Sequence, residues 1–292
     1  MLSYHLGQGI WVWDLEPSIL IGLAVWTVGY LLLGGPLRRR FGWGAPANPA
    51  RQIAFHAGTL LALFALVSPL DHLSDTFLLS AHMLQHLLLL AGAPPLWLAG
   101  IPPTWFERLR VPGLIARPLG WLTHPIPAFI LYNTVLFGWH IPQAYEAALY
   151  HPPVHILEHL SFITVAFIAW WPVLGCLPQA APRASQPMQM AYLFFLMLSG
   201  TLLGAFIALN RHPIYPFYLS APGVVNGMVL PGLAGSPRLW GLSPMIDQQI
   251  SGLIMWIPGN MIYFVVIMIV FANWLKNQEI AMRAVENLPP VR

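Results

Sequence analysis

The chain has 292 residues, of which 57% are hydrophobic and only 8% are charged. Soluble domains carry about 25% charged residues, so this chain cannot cover a water-facing surface and is predicted to be an integral membrane protein. Its formal net charge of +3 is small, and no nucleic-acid partner is expected. The single cysteine, Cys176, excludes an intrachain disulfide and any metal clamp built from paired cysteines.

Seven apolar segments approach the roughly 20 residues that a membrane-spanning helix requires. They cover residues 17–34, 52–69, 76–98, 125–140, 153–174, 188–209 and 246–275. The sequence therefore predicts an all-α fold, a polytopic membrane bundle of seven transmembrane helices that forms a single integral-membrane domain over residues 1–292. Pro94 and Pro95 fall inside the third segment, so that helix is expected to end or kink there.

The segment from residue 210 to residue 245 is the longest connection and is rich in proline and glycine. It is predicted to be an irregular loop on the outer surface. Its aromatic side chains are expected to rest on the headgroup layer; they are Tyr215, Phe217, Tyr218 and Trp240. Residues 276–292 are predicted to form a cytoplasmic tail.

Basic residues are distributed unevenly between the two ends of the apolar segments. Of the 13 lysines and arginines, only Arg211 and Arg238 fall on one side, and all the others fall on the opposite side. Because cytoplasmic loops are enriched in lysine and arginine, the N-terminus is predicted to lie outside and the C-terminus in the cytoplasm.

Two histidines, His82 and His86, lie inside the third apolar segment. Side chains at i and i+4 share one face of a helix, and two imidazoles in that position suit chelation of one metal ion. A polar pair in hydrocarbon is costly, which makes it a functional hypothesis. The fifth segment repeats the spacing with His155 and His159, beside Glu158. If the two helices pack together, the pairs converge near the outer surface.

Nearly all of the 11 histidines map to the predicted outer half, and only His56 and His124 fall toward the cytoplasm. His140 closes the fourth segment at the level of the two pairs. Imidazole suits copper, zinc and haem iron, and a thioether such as that of Met255 suits Cu(I). The predicted metal ligands are His82, His86, His140, His155, His159 and Met255.

Four further side chains are predicted to orient these ligands, because a carboxylate or amide often holds a ligating histidine in place. They are Glu158, Asp247, Gln248 and Asp71. Asp247 follows Ser243 and Pro244 and is equally suited to cap the seventh helix. Isolated histidines near helix ends are most often hydrogen-bonded interface residues; His5, His56, His124 and His212 are interpreted in this way.

Several of these motifs together resemble the CtaG family of caa-type cytochrome c oxidase assembly factors. They are Ser80-Ala-His-Met-Leu-Gln-His86 before Ala93-Pro-Pro95, Val67-Ser-Pro-Leu-Asp71, Trp139-His140, His155 with Glu158-His159, and Asp247-Gln-Gln249 with Met255-Trp256. The resemblance covers most of the chain. It implies a multi-span protein of a prokaryotic plasma membrane that is needed to form active oxidase and has a proposed part in building its copper centre.

Three functions follow as hypotheses. The first is a non-enzymatic assembly factor that binds or delivers copper through an outward-facing histidine cluster. Its partners would be cytochrome c oxidase subunits, with the copper-containing subunits as candidate recipients. The second is a haem-binding membrane oxidoreductase with two histidines as axial ligands. The third is a structural clamp for oxidase subunits that binds no metal, with the histidines as hydrogen-bonded core residues.

Overall fold

A computed structural model of the chain describes residues 11–107, 109–220, 223–225, 228–230 and 239–286. Among these residues the fold is almost entirely helical, which confirms the predicted helical bundle. The helices are α1 Pro17–Phe41, α2 Pro49–Val67, α3 Pro69–Thr76, α4 Leu79–Gly100, α5 Gly113–Leu122, α6 Pro125–Trp139, α7 Pro142–Tyr150, α8 Pro152–Leu174, α9 Gln186–Leu209 and α10 Pro244–Glu286. His5 lies outside the described residues.

Six of the helices in the described part of the chain are long and apolar enough to cross a membrane: α1, α2, α4, α8, α9 and α10. The predicted fourth span corresponds to α6, which has only 15 residues. At 1.5 Å per residue it is about 22 Å long, less than the roughly 30 Å of a hydrocarbon core. The count of seven spans therefore stays a prediction.

Helix α4 passes through the two prolines and continues to Gly100. A π-helical turn, Leu88–Gly92, precedes Pro94 and widens the helix there. Pro94 has no N–H to donate, so the carbonyl of Leu90 loses its partner within the helix. The indole Nε1 of Trp170 on α8 donates to that carbonyl at 2.9 Å. The prolines therefore alter the local helical pitch. They also free the carbonyl through which α8 is hydrogen-bonded to α4, four residues after His86.

Helices α9 and α10 pack closely because small residues face each other at their crossing. A Cβ added to Gly252 would lie 2.4 Å from the backbone nitrogen of Ala208 and 2.5 Å from the carbonyl oxygen of Gly204. Small residues of this kind allow close backbone approach between membrane helices. The main core lies among α4, α6, α8, α9 and α10. Helix α1 is peripheral and packs on α2 through stacked rings of Tyr30 and Phe55, whose centroids are 3.7 Å apart.

The long connection between α9 and α10 folds partly inward. It contains the turns Pro216–Ser220 and Leu239–Gly241 and a hairpin in which β1 Gly223–Val225 pairs antiparallel with β2 Met228–Leu230. Tyr215, Phe217 and Tyr218 are buried, so the prediction that they rest on the headgroup layer is wrong; Trp240 is exposed. Their rings pack against Tyr145 and Tyr150 of α7, and the hydroxyl of Tyr218 is hydrogen-bonded to that of Tyr145. A tyrosine can be buried at little cost when its hydroxyl has such a partner.

The predicted tail begins within a helix. Helix α10 continues through Glu286, so residues 276–286 extend the last membrane helix, and residues 287–292 lie outside the described part of the chain.

Candidate metal centre

The two histidine pairs face each other across the packed faces of α4 and α8. His82 and His86 are almost fully buried, as are His155 and His159. The Nε2 atoms of His82 and His86 are 2.7 Å apart, so one ring donates a hydrogen bond to the other. This close approach follows from the i, i+4 spacing on one helix face. The convergence on which the sequence-based hypothesis depends is present.

Glu158 brings a carboxylate into the same space. Its side chain is fully buried, with Oε2 lying 3.9 Å from Nε2 of His82 and Oε1 lying 3.6 Å from Nε2 of His86. The sequence suggested that Glu158 orients the ligands. The structure instead places it among the candidate ligands themselves, because positions 155, 158 and 159 share the face of α8 that is turned toward α4.

Four residues can offer one ligand atom each to a single ion. The ligand atoms of His82, His155, Glu158 and His159 all lie within 4.8 Å of one another. Bonds of about 2 Å from a central metal place its ligands about 4 Å or less apart, so small side-chain rotations suffice to close this set around one ion. His86 is not one of the four, but its Nε2 is hydrogen-bonded to that of His82 and lies 3.6 Å from Oε1 of Glu158.

Several polar atoms of the cluster have no hydrogen-bond partner among the described residues. They are Nε2 of His155, Nε2 of His159, Nε2 of His140, Nδ1 of His86 and both oxygens of Glu158. A buried donor or acceptor left unpaired costs about 1–3 kcal/mol, and a buried charge costs more. A cation held by the group of four would give a partner to the unpaired atoms of Glu158 and to imidazole nitrogens of His155 and His159, so the residues present fit a metal ion.

A second carboxylate, that of Asp75 on α3, faces the outer edge of the cluster. Its Oδ2 lies 3.4 Å from Nδ1 of His155, and the two side chains are only 13% and 9% exposed. A proton on Nδ1 would leave Nε2 of His155 free to bind a metal, which is the usual arrangement of a carboxylate, a histidine and a metal. Sequence reasoning chose Asp71 for such a role. Asp75 is one helical turn further along the same face of α3. Its i, i+4 spacing from Asp71 was the sequence signal that could have identified it.

Asp71 lies beside this contact and contributes to a hydrogen-bond network. The side-chain amide of Gln85 on α4 donates to Oδ1 of Asp71 at 2.6 Å, and Oε1 of Gln85 lies 3.0 Å from the hydroxyl oxygen of Ser74. Burial raises the pKa of Asp75 to about 7, with Asp14 adding to the effect against the hydrogen bond from Ser74. Burial also raises the pKa of Asp71, and neighbouring Asp75 raises it further. Burial therefore favours the neutral, protonated form of both carboxyl groups.

Two tyrosines, Tyr145 and Tyr218, lie against another side of the cluster. Sequence reasoning did not identify either of them as part of the site. The hydroxyl of Tyr218 lies 3.4 Å from Nδ1 of His82 and donates to the carbonyl of Ser74 at 2.8 Å. The hydroxyl of Tyr145 is 3.0 Å from that of Tyr218. Burial raises the pKa of the Tyr218 hydroxyl well above its ordinary value, so it stays neutral. Because Tyr218 belongs to the irregular connection, no periodic pattern pointed to it.

The remaining predicted ligands lie around the group of four. His140 is buried, with its ring 5.8 Å from that of His86 and its Nδ1 2.7 Å from the carbonyl oxygen of Leu136. Met255 lines a small cavity of about 30 Å³ together with His86 and Met83. Both residues are therefore close to the cluster without joining the set that can surround one ion.

The two other predicted orienting residues hold the structure together away from the ligands. Asp247 accepts hydrogen bonds from the backbone N–H of Leu79 at 2.7 Å and of Ser80 at 3.2 Å, and from the Ser80 hydroxyl. It therefore caps the N-terminus of α4, where the helix dipole favours an anion. Gln248 accepts from the N–H of Ile214 at 2.7 Å and donates to the carbonyl of His212 at 3.1 Å, which holds the connection to α10.

The fold and the cluster together define a class: a polytopic helical membrane protein with a buried histidine–carboxylate centre between two of its helices. Residues 28–277 match the family described as "Cytochrome c oxidase caa3 assembly factor (Caa3_CtaG)". This match covers most of the chain, and the protein belongs to that family. The predicted membership is confirmed.

Two uncharacterised proteins, one from Mycobacterium bovis and one from Mycobacterium tuberculosis, are similar to this chain. Each is 24% identical over 297 residues, an alignment that covers 94% of this chain and 42% of the relative. The chain thus spans about two fifths of the length of these relatives. No solved structure matches it.

Proposed function

We propose that this protein supports cytochrome c oxidase assembly by binding a copper ion at the centre formed by His82, His155, Glu158 and His159 and transferring it to a copper-containing oxidase subunit. The family gives the oxidase connection. The observation that carries the metal proposal is that four ligand atoms from two helices lie within 4.8 Å of one another in a buried site. The role is non-enzymatic.

The donor chemistry favours copper. Three imidazoles and one carboxylate are nitrogen and oxygen donors, which suit divalent first-row metals, and among these Cu(II) binds a given site most tightly. When bound, the ion would neutralise the carboxylate of Glu158 and occupy the imidazole nitrogens that lack partners. His86, His140 and Met255 lie next to the four and are proposed to serve as auxiliary ligands during exchange of the cargo.

We further propose that the protein is a seven-span protein of a prokaryotic plasma membrane, with α6 as the shortest span. The N-terminus is outside, residues 210–245 form an outer loop, and residues 276–292 are a cytoplasmic tail of the single domain 1–292. The uneven distribution of arginines supports this orientation. It places the histidine centre near the outer surface, where copper would arrive and where the client subunits would meet it.

The haem alternative is less well supported. A haem iron accepts two axial ligands beyond its porphyrin, whereas four groups converge on one point here. A clamp that binds no metal is disfavoured by the unpartnered atoms of Glu158 and His159, since a purely structural core normally pairs its buried polar groups.

The experiment is a copper-loading measurement joined to an oxidase assay. The purified protein is incubated with Cu(II), freed of excess metal, and analysed for copper per chain by mass spectrometry. The variants are Glu158→Gln, which preserves shape, and His82→Ala with His159→Ala; the control is His124→Ala, an exposed histidine away from the centre. Copper should be retained by the wild type and the control and lost by the other two.

The same variants are expressed in cells that lack the natural copy, and the copper content of the oxidase is measured. Equal copper in all purified forms would overturn the metal site. Copper loss combined with a fully metallated oxidase would overturn copper transfer and leave the clamp as the function.

A further inference from the structure

A second feature opens at the arginine-bearing end of the molecule. An apolar groove of about 860 Å³ runs between α2, α4, α8 and α10. This volume is within the range of sites that bind small molecules, which is about 300–1,000 Å³. Its walls are formed mainly by aliphatic side chains and one indole; they include Leu61, Leu96, Trp170, Val173, Ile262 and Val266.

The groove has the depth of one lipid leaflet. Along α10 its lining extends from Ile262 to Asn273, which are 11 residues apart. At 1.5 Å per residue this is about 16 Å, or about half of a hydrocarbon core of roughly 30 Å. One end of the groove therefore lies near the middle of the bilayer and the other at the level of the headgroups.

The headgroup end of the groove is polar and cationic. Arg183, Gln186 and Asn273 line it. The guanidinium of Arg183 donates only to backbone carbonyls, from Nε to Gly175 at 2.8 Å and from Nη2 to Leu174 at 3.3 Å. Among the described residues no carboxylate lies within 4.0 Å of this guanidinium.

A second guanidinium lies close by. Arg51 donates from Nη1 to the carbonyls of Ala99 and Ile101, at 2.8 and 3.2 Å, and Ala99 lines the groove. Burial lowers the pKa of Arg183, and the nearby positive charge of Arg51 lowers it further. In the part of the chain that the structure describes, neither guanidinium has a carboxylate within 4.0 Å. A partly buried positive charge without such a partner favours the binding of an anion.

We propose that this groove binds one anionic phospholipid from the adjacent leaflet, with its acyl chains along the apolar walls and its phosphate at Arg183. Arginine presents planar donors that match phosphate oxygens. Basic pockets between membrane helices are known to hold anionic headgroups. The amides of Gln186 and Asn273 supply further donors at the same level. A bound lipid would seal the contact between α4, α8 and α10.

The test measures lipid retention by native mass spectrometry. The delipidated full chain in detergent is titrated with phosphatidylglycerol or phosphatidylcholine. Arg183→Gln removes the charge, and the exposed Arg117→Gln on α5 is its control. Val266→Trp fills the groove, and Val265→Trp, which is exposed on the same helix outside the groove, is its control.

We expect the wild type to retain phosphatidylglycerol in preference to phosphatidylcholine. Arg183→Gln should weaken phosphatidylglycerol binding about tenfold, the effect of losing one charge-assisted partner. Val266→Trp should abolish binding while leaving both arginines in place, so it decides the question even if Arg183→Gln fails to fold. Equal retention of the two lipids, or unchanged binding in Val266→Trp, would overturn the proposal.

Discussion

Replacing Asp75 with asparagine tests whether the carboxylate outside the cluster prepares His155 for metal binding. The change preserves the size of the side chain and keeps an acceptor for the hydroxyl of Ser74, which now donates to Oδ1 at 3.0 Å. It removes the negative charge that lies 3.4 Å from Nδ1 of His155. Nothing else at the centre is altered, so a change in metal affinity reports on that contact.

The expected size of the effect follows from geometry and exposure. Loss of a carboxylate that orients a metal-binding histidine typically weakens metal binding by 10- to 100-fold, or about 1.4–2.7 kcal/mol. His155 is one of four candidate ligands, and the Asp75 side chain is 13% exposed, so solvent screens part of the interaction. We therefore expect a loss of about tenfold, near the lower limit of that range.

The assay is a competition titration of Cu(II) between the purified protein and a chelator of known affinity. Asp14→Asn is the matched control, because Asp14 is an exposed acidic residue at the same end of the molecule and changes the net charge equally. If Asp75→Asn and Asp14→Asn weaken copper binding to the same extent, the effect is general electrostatic attraction and the orienting role of Asp75 is refuted.

Two further predictions concern stability and are checked by thermal unfolding in detergent. Asp247→Asn should destabilise the fold by about 1–3 kcal/mol because it removes a buried, charged acceptor from the start of α4, whereas Asn48→Ala, which removes a more exposed cap, should cost less; equal shifts would contradict the capping role. Gly252→Val should prevent α10 from packing on α9, since a Cβ there would lie 2.4 Å from the nitrogen of Ala208, while Gly200→Ala, with nothing within 4 Å of its added Cβ, should unfold like the wild type. Unchanged stability of Gly252→Val would show that the two helices separate at little cost.

Sequence reasoning named Asp71 among the residues that orient the ligands, and in the structure the carboxylate in contact with His155 is that of Asp75, at 3.4 Å. Both lie on the same face of α3, one turn apart, so the sequence supplied the right helix face and left the depth undetermined. A turn of helix is 5.4 Å, which exceeds the length of a hydrogen bond. Only the packing of α3 against α8 could choose between the two residues.

Tyr218 illustrates a different gap. It contacts His82 across 136 positions of sequence and belongs to an irregular segment that was expected at the membrane surface. Hydrophobic periodicity carries information about regular elements and none about how a proline-rich connection folds over them. The same limit applied to Asp247, whose carboxylate caps a helix 168 positions away from it.

By itself, the sequence determined the long apolar helices and the helix faces that carry the histidines. Both depend on composition and on spacings of three or four residues, which are fixed once a helix forms. The tertiary structure alone decided that α4 and α8 present those faces to each other, that Glu158 joins the candidate ligands, and that a groove with a cationic mouth opens at the opposite end. These features arise from contacts between distant segments, whose geometry is set by how whole helices pack and is not encoded in any local pattern.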